Sequence, residues 1–390
     1  MTVLSGRSAR FALAGVLAVG MLGTTLPTSI YASYEQAFGF ELPMVTVIFA
    51  VYAAGVLAGL FAFGRWSDTL GRKPMLTAAL GLAAISSVCF LLAQGLSMLI
   101  AGRILSGLSA GIFVGTATAT MTELASDRRR AALLATCANV VGLGLGPVLG
   151  GLLVAWLPNP LRTPYIVHLG LVAVALVLLL LLPETVERQH GARPQTMPLA
   201  VPEPVRRYFT TTAILGFVGF AVVGLFTAVA PSIGSQLMGV TAVLGETFLV
   251  ASVYAGSTAG QLVFARLDEG VWEAVAVSCL AVGSVVLAIA VMAASWPLLA
   301  ASGLIAGVGH GVAFSRGMAT LSAHAPDDQR AAVSSAYFVV AYIAISVPVV
   351  AEGFSAHFLS LVSAAVGFSA VMALLAIVAG VLVHRRAASH

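Results

Sequence analysis

Arg103 stands in the run Gly102-Arg103-Ile104-Leu105-Ser106-Gly107-Leu108-Ser109-Ala110-Gly111, which is otherwise uncharged. A guanidinium inside hydrocarbon is costly unless it meets water or a partner, so it is a functional candidate by default. Thr24, Thr28, Tyr31 and Glu35 follow one another at spacings of four, three and four. On a helix they form one polar stripe ending in a carboxylate. Glu35 and Arg103 fall at similar depth and are expected to form a proton-sensitive pair, in which a proton or a substrate displaces the partner from the carboxylate. A surface Glu35 and a snorkelling Arg103 are the plainer alternative. His310, set among Gly307, Gly309 and Gly311, is a second candidate proton carrier, because imidazole titrates near neutral pH. Its alternative is a hydrogen-bonded packing role, the reading also given to His168. Tyr52, Asn139, Tyr254, Gln261, Tyr337 and Tyr342, together with the stripe of Thr24, Thr28 and Tyr31, outline a mostly apolar cavity with sparse hydrogen-bonding groups. Such a lining suits hydrophobic or amphipathic molecules better than sugars.

The elements that position these residues follow from composition. Apolar residues make up 59% of the 390 and charged residues only 9%, against about 25% charged in a soluble domain. A span needs about 20 apolar residues. Twelve helices are therefore predicted at 11–36, 43–63, 75–94, 98–123, 131–155, 165–183, 208–233, 243–264, 271–293, 297–322, 331–352 and 357–383. The fold class is an all-α membrane protein. Cys89, Cys137 and Cys279 lie in apolar runs with no metal or redox spacing. The first run follows Arg7 and Arg10 but is too long for a signal peptide's core and is read as helix 1.

Placing both termini and the even-numbered gaps on one side collects sixteen of the nineteen Lys and Arg residues there. Only Arg162 falls opposite, while Arg103 and Arg316 lie within helices. The positive-inside rule then puts both termini in the cytoplasm of a cell's inner membrane. That distribution explains the net charge of +4 better than a nucleic-acid face does, and no nucleic-acid partner is expected. The polar stretch 184–207, with Pro194, Pro198, Pro202 and Pro204, reads as a linker between bundles at 1–183 and 208–390. Ala50-Val51-Tyr52-Ala53 recurs as Ser252-Val253-Tyr254-Ala255, DRRRAA at Asp127 recurs as DDQRAA at Asp327, and Gly107 and Gly111 recur as Gly307 and Gly311. These repeats point to duplicated six-helix halves, an arrangement suited to a central path that opens to alternate sides.

The turn Gly64-Arg65-Trp66-Ser67-Asp68-Thr69-Leu70-Gly71-Arg72-Lys73-Pro74 carries one acid and three bases. It resembles the G-x-x-x-D-x-x-G-R-[KR] loop of the major facilitator superfamily. The resemblance implies that Asp68 faces the start of helix 11 and that Arg72 meets an acid at the end of helix 4, Glu123 or Asp127, locking an outward-open state. The matching loop of the second half keeps only Arg266 and Glu269, which implies a one-sided lock. Gly142, Gly146, Pro147, Gly150 and Gly151 in helix 5 are similar to the G-x-x-x-G-P-x-x-G-G pattern of that superfamily's drug:proton antiporters. Physically, glycines four apart allow close helix approach, and a proline frees a carbonyl and bends its helix. Arg103 and Gly107 resemble the R-x-x-x-G motif that the family links to proton transfer.

The expectation is an alternating-access exporter of small apolar or amphipathic compounds, run by the proton gradient without another cofactor, and acting as a monomer in the bilayer. It departs from many relatives in having no acid at the centre of helix 1, so a uniporter remains an alternative. A transporter of an organic anion or metabolite, using Arg103 and Arg316, is another. The sequence has no HExxH, P-loop or paired intramembrane carboxylates. An enzyme is not expected, and a membrane sensor would need an output domain.

Overall fold

Apolar runs with few breakers become helices throughout. The computed structural model describes residues 4–186, 199–326 and 329–388. The predicted linker's 187–198, with Arg188, Arg193, Pro194 and Pro198, lies outside the described residues, as do Asp327 and the side chains of Arg129 and Glu269. In chain order the helices are α1 (Gly6–Thr25), α2 (Tyr31–Phe38), α3 (Leu42–Phe63), α4 (Trp66–Leu70), α5 (Arg72–Leu91), α6 (Leu96–Glu123), α7 (Arg128–Trp156) and α8 (Thr163–Leu180). They continue as α9 (Glu203–Ala228), α10 (Ala230–Met238), α11 (Val243–Val263), α12 (Glu269–Met292), α13 (Trp296–His324), α14 (Arg330–Phe358) and α15 (Leu361–Ala388).

Two predicted helices are interrupted where the sequence has proline. The run expected over 11–36 changes at Pro27 into a 3-10 turn, Leu26–Ile30, between α1 and α2. The run expected over 208–233 breaks at Val229, two residues before Pro231, between α9 and α10. Proline cannot supply the N–H that a continuing helix needs. Both short helices then stop at a glycine with φ +68°, Gly39 and Gly239, a left-handed conformation that glycine adopts without a Cβ clash.

Among the described residues, eleven helical stretches are long and apolar enough to cross a bilayer. α11 has the length, 21 residues, but Glu246, Ser252, Tyr254, Ser257, Thr258 and Gln261 lower its hydropathy. Most of these turn inward: Ser252, Tyr254, Ser257 and Gln261 are buried. Apolar side chains face outward elsewhere, as on α8, where Ile166, Val174 and Val177 are 57–59% exposed. An apolar outer surface is what lipid solvates.

The chain divides into two compact units, Met1–Gly39 with Val51–Pro198, and Phe40–Ala50 with Leu199–His390. Each contains one seam of close backbone approach. In the first, a Cβ on Gly107 of α6 would lie 2.8 Å from Gly55 Cα of α3, and one on Gly111 would lie 2.8 Å from Leu60 N. In the second, a Cβ on Gly307 of α13 would lie 3.1 Å from Gly256 Cα of α11, and one on Gly311 would lie 2.8 Å from Ser257 C. Glycine is required at these crossings because the backbones themselves touch.

Candidate functional site

Arg103 is fully buried on α6. Its Nη1 donates to the Thr24 carbonyl and its Nη2 to the Tyr31 hydroxyl. In the 3-10 register the donor for the Thr24 carbonyl would be residue 27, and Pro27 has no N–H. The helix break thus offers an acceptor where the guanidinium needs one. The guanidinium carbon also lies 5.2 Å from the ring centre of Tyr31, 5.9 Å from Tyr52 and 6.0 Å from Phe90. Phe90 stacks on Tyr165 at 5.1 Å, and the Tyr34 hydroxyl lies 3.2 Å from that of Tyr165. An aromatic box of this kind holds a cation by its ring faces. The expected Glu35–Arg103 pair is corrected: Tyr31, one turn nearer on α2, takes the guanidinium, and Glu35 is only half-buried beyond it. Thr24 Oγ1 bonds the Met21 carbonyl at 2.7 Å, while Thr28 Oγ1 and Asn139 Oδ1 are sealed without a partner.

α7 packs against α1. Cβ atoms on Gly142, Gly146 and Gly150 would lie 2.6, 2.5 and 2.9 Å from the carbonyl oxygens of Ala18, Leu22 and Leu26. Three glycines four apart meet three carbonyls four apart. Pro147 leaves the carbonyl of Leu143, four residues back, without its helical donor. Thr25 Oγ1 donates to that carbonyl at 2.6 Å, and Ser29 Oγ donates to the Pro147 carbonyl at 2.7 Å. Gly151 is buried in the next turn. The carbonyl that Pro147 frees is therefore satisfied by a hydroxyl of the neighbouring segment, a partnership that the spacing of Thr25 and Ser29 could have suggested.

At one end of the unit Gly64 closes α3, its N–H bonding the Leu60 carbonyl at 2.9 Å. Gly71 has φ +99°, and a Cβ there would lie 2.8 Å from Glu184 Oε2. Arg72 uses three nitrogens on side chains: Nε and Nη2 reach Glu123 at 3.2 and 2.7 Å, and Nη1 reaches Asp68 at 2.7 Å and Ser67 at 2.6 Å. Glu184 caps α5, accepting from the N–H groups of Arg72 and Lys73 at 2.8 and 3.1 Å, where a helix N-terminus favours an anion. Thr185 adds a hydroxyl to Glu123 at 2.5 Å. Of the two acids expected for Arg72, the structure selects Glu123. Asp127 instead caps α7 through the Arg130 N–H at 3.0 Å.

In the second unit His310 Nδ1 lies 2.9 Å from Ser257 Oγ, which also accepts from Gln261 Nε2 at 3.4 Å. His310 Nε2, Gln261 Oε1 and the Tyr337 hydroxyl are sealed without a partner. The Tyr254 hydroxyl lies 2.9 Å from Thr227 Oγ1. Arg316 Nη1 donates to the Ala265 carbonyl at 3.3 Å. His168, in the first unit, differs: Nδ1 meets Ser87 Oγ at 2.7 Å and Nε2 the Val19 carbonyl at 3.2 Å.

Sequence reasoning missed two carboxylates. Glu273, in the first turns of α12, is buried and pairs with Arg386 at 2.5 Å, and Arg386 also lies 4.9 Å from the Tyr208 ring. The second unit thus has an ion-paired anchor of its own, built on different residues from Arg266 and Glu269. Glu352 on α14 is 3% exposed, with Oε1 sealed and unpartnered. An acid inside an apolar helix was the available signal for both.

Residues 12–349 match the Major Facilitator Superfamily. A triacylglyceride transporter of Mycolicibacterium hassiacum is 31% identical over 252 residues, 61% of this chain and 44% of that protein. Another, of Mycolicibacterium smegmatis, is 34% identical over 173 residues, 43% of this chain and 31% of that protein. The multidrug resistance protein MdtL of Shigella flexneri is 31% identical over 205 residues, 50% of this chain and 49% of that protein. The matched stretches thus span less than half of these relatives. Among solved structures, a bacterial homologue of the human lysosomal transporter Spinster has a TM-score of 0.69 at 14% identity, covering 96% of this chain and 95% of that one. The human organic anion transporter TETRAN has a TM-score of 0.64 at 16% identity, covering 96% and 99%.

Proposed function

This chain belongs to the Major Facilitator Superfamily, and from that premise we propose that it is a secondary active transporter exporting small hydrophobic or amphipathic compounds in exchange for protons. The bundles at 1–183 and 208–390, joined by the linker 184–207, alternate access across a cell's inner membrane, with both termini in the cytoplasm and the protein acting as a monomer. The observation that carries the export reading is the seam of α1 and α7, where Thr25 holds the carbonyl that Pro147 releases. A freed carbonyl satisfied by a neighbour's hydroxyl is a two-partner joint, able to exchange partners as its helices slide. The Arg72–Asp68–Glu123 network serves as a lock specific to one state.

An apolar cargo is supported from two sides. The polar groups expected to line the path are few and largely buried, and the relatives named above are described by triacylglyceride transport and multidrug resistance. The organic-anion alternative has less support, because Arg103 is already held by Tyr31, Thr24 and three rings. The test is reconstitution in liposomes carrying an internal pH dye, challenged with ethidium, a short-chain fluorescent triacylglyceride and an organic acid. Proton movement with either of the first two is the expected result. If the organic acid alone moved, or no compound moved protons, the exchange reading would be abandoned.

A further inference from the structure

Glu352 lies in a span, Arg330–Phe358, whose other ionisable groups sit at its ends or are tyrosines. It is six residues from the helix end at Phe358, about 9 Å at 1.5 Å per residue. Its side chain is 3% exposed and Oε1 has no donor. An unpartnered acid at such depth is costly and is a functional candidate by default.

Among the described residues, no cation is paired with this carboxyl. α14 packs on α9, α13 and α15. α9 carries Glu203, Arg206, Arg207 and Tyr208 at its start and no titratable residue after them, and α15 has none before His384. α13 contributes His310, with Nδ1 beside Ser257, then Arg316, donating to Ala265, and His324, with Nδ1 beside the Thr320 carbonyl. On α11 the Tyr254 hydroxyl is bonded to Thr227, and Glu246 is an acid. The start of α3 lies along the end of α14: a Cβ on Gly353 would lie 2.5 Å from Thr46 Oγ1, and Glu41 pairs with His357 at 3.2 Å. Within α14 itself Arg330, Tyr337 and Tyr342 lie toward the other end. Among the described residues, no ion pair or hydrogen bond engages Glu352.

We propose that Glu352 is a membrane-buried proton-binding site, taking up a proton on its carboxylate and releasing it again as the α3–α14 seam at Thr46 and Gly353 moves. The assignment deepens the proton-exchange reading above and rests on it for its role in transport. It differs from the earlier candidates, Glu35 and His310, because this carboxyl is both sealed and unpaired. Pro348, one turn earlier in α14, supplies a point about which the helix end can bend.

The experiment has two readouts on wild type, Glu352→Gln, Glu352→Asp and Glu35→Gln. In lipid, infrared difference spectra between about pH 5 and about pH 9 report protonated carboxyl groups. A titrating carboxyl band is expected in wild type, Glu352→Asp and Glu35→Gln, and is expected to be missing in Glu352→Gln. In proteoliposomes, ethidium movement driven by a pH gradient is expected to fall at least tenfold in Glu352→Gln, with gradient-free ethidium exchange within twofold of wild type. An unchanged band in Glu352→Gln, or unimpaired gradient-driven movement with the band absent, overturns the proposal. If wild type moves no ethidium and no protons, the exchange reading fails by itself, and the band then decides whether Glu352 binds a proton.

Discussion

Arg103 shows how one side chain can be read from its partners. Removing it leaves the Tyr31 hydroxyl and Thr24 carbonyl without a donor in a buried place, at a cost of about 1–3 kcal/mol for each unmet group. Arg103→Ala is therefore expected to lower the melting temperature of the purified protein. It also separates the functional readings: export coupled to protons predicts retained ethidium binding with lost pH dependence, whereas anion transport predicts lost binding of the organic acid. The two buried histidines make a matched pair. His168 has partners on both nitrogens and His310 on one, so His168→Ala is expected to destabilise more than His310→Ala in thermal unfolding. Equal shifts would mean that cavity formation, and not hydrogen bonding, governs both sites. A structural role for His168 was expected from its place in the sequence; the difference between the nitrogens could not be read there, since it depends on Ser87 and Val19, distant in the chain.

Element by element, legibility followed the range of the interactions. Helices of about twenty apolar residues were evident because the bilayer length imposes them, and the glycines of α6 and α7 announced close approach by spacing alone. The breaks at Pro27 and Pro231 were missed because apolar content continues through them; only the register changes. What bonds the carbonyl freed by Pro147 was also hidden, since Thr25 is 118 residues from Leu143. That contact can be tested. Thr25→Val keeps shape and removes the donor, and is expected to cost about 0.6 kcal/mol, the mean for interhelical hydrogen bonds measured in a membrane protein, and no more than about 1.7 kcal/mol, their maximum. Pro147→Ala restores an N–H for Leu143 and makes Thr25 redundant. A double-mutant cycle by thermal unfolding should show Thr25→Val costing less in the Pro147→Ala background than alone. An additive result would mean that Thr25 packs without bonding.

Across the whole molecule, each compact unit has its own charged anchor, and the two are chemically unlike. In the first, Arg72 ties Asp68 and Glu123 together while Glu184 caps α5; in the second, Arg386 at the end of α15 neutralises Glu273 in α12. The loop signature made the first legible. The second was invisible because Arg386 looked like one more terminal base of the positive-inside pattern, and Glu273 stands 113 residues away. Arg386→Ala leaves a carboxylate that is 1% exposed without its cation, and removing one member of such a pair costs about 3–5 kcal/mol. Arg72→Ala should cost less, because Asp68 and Glu123 are 53% and 31% exposed and water can replace the guanidinium. Distant sites without shared partners contribute independently. Hydrogen exchange should then rise in α5 and the end of α6 for Arg72→Ala, and in α9, α12 and α15 for Arg386→Ala, each leaving the other unit at wild-type protection. Exchange spreading into both units from either substitution would show that the chain opens as one cooperative body, and the division into two bundles would lose its energetic meaning.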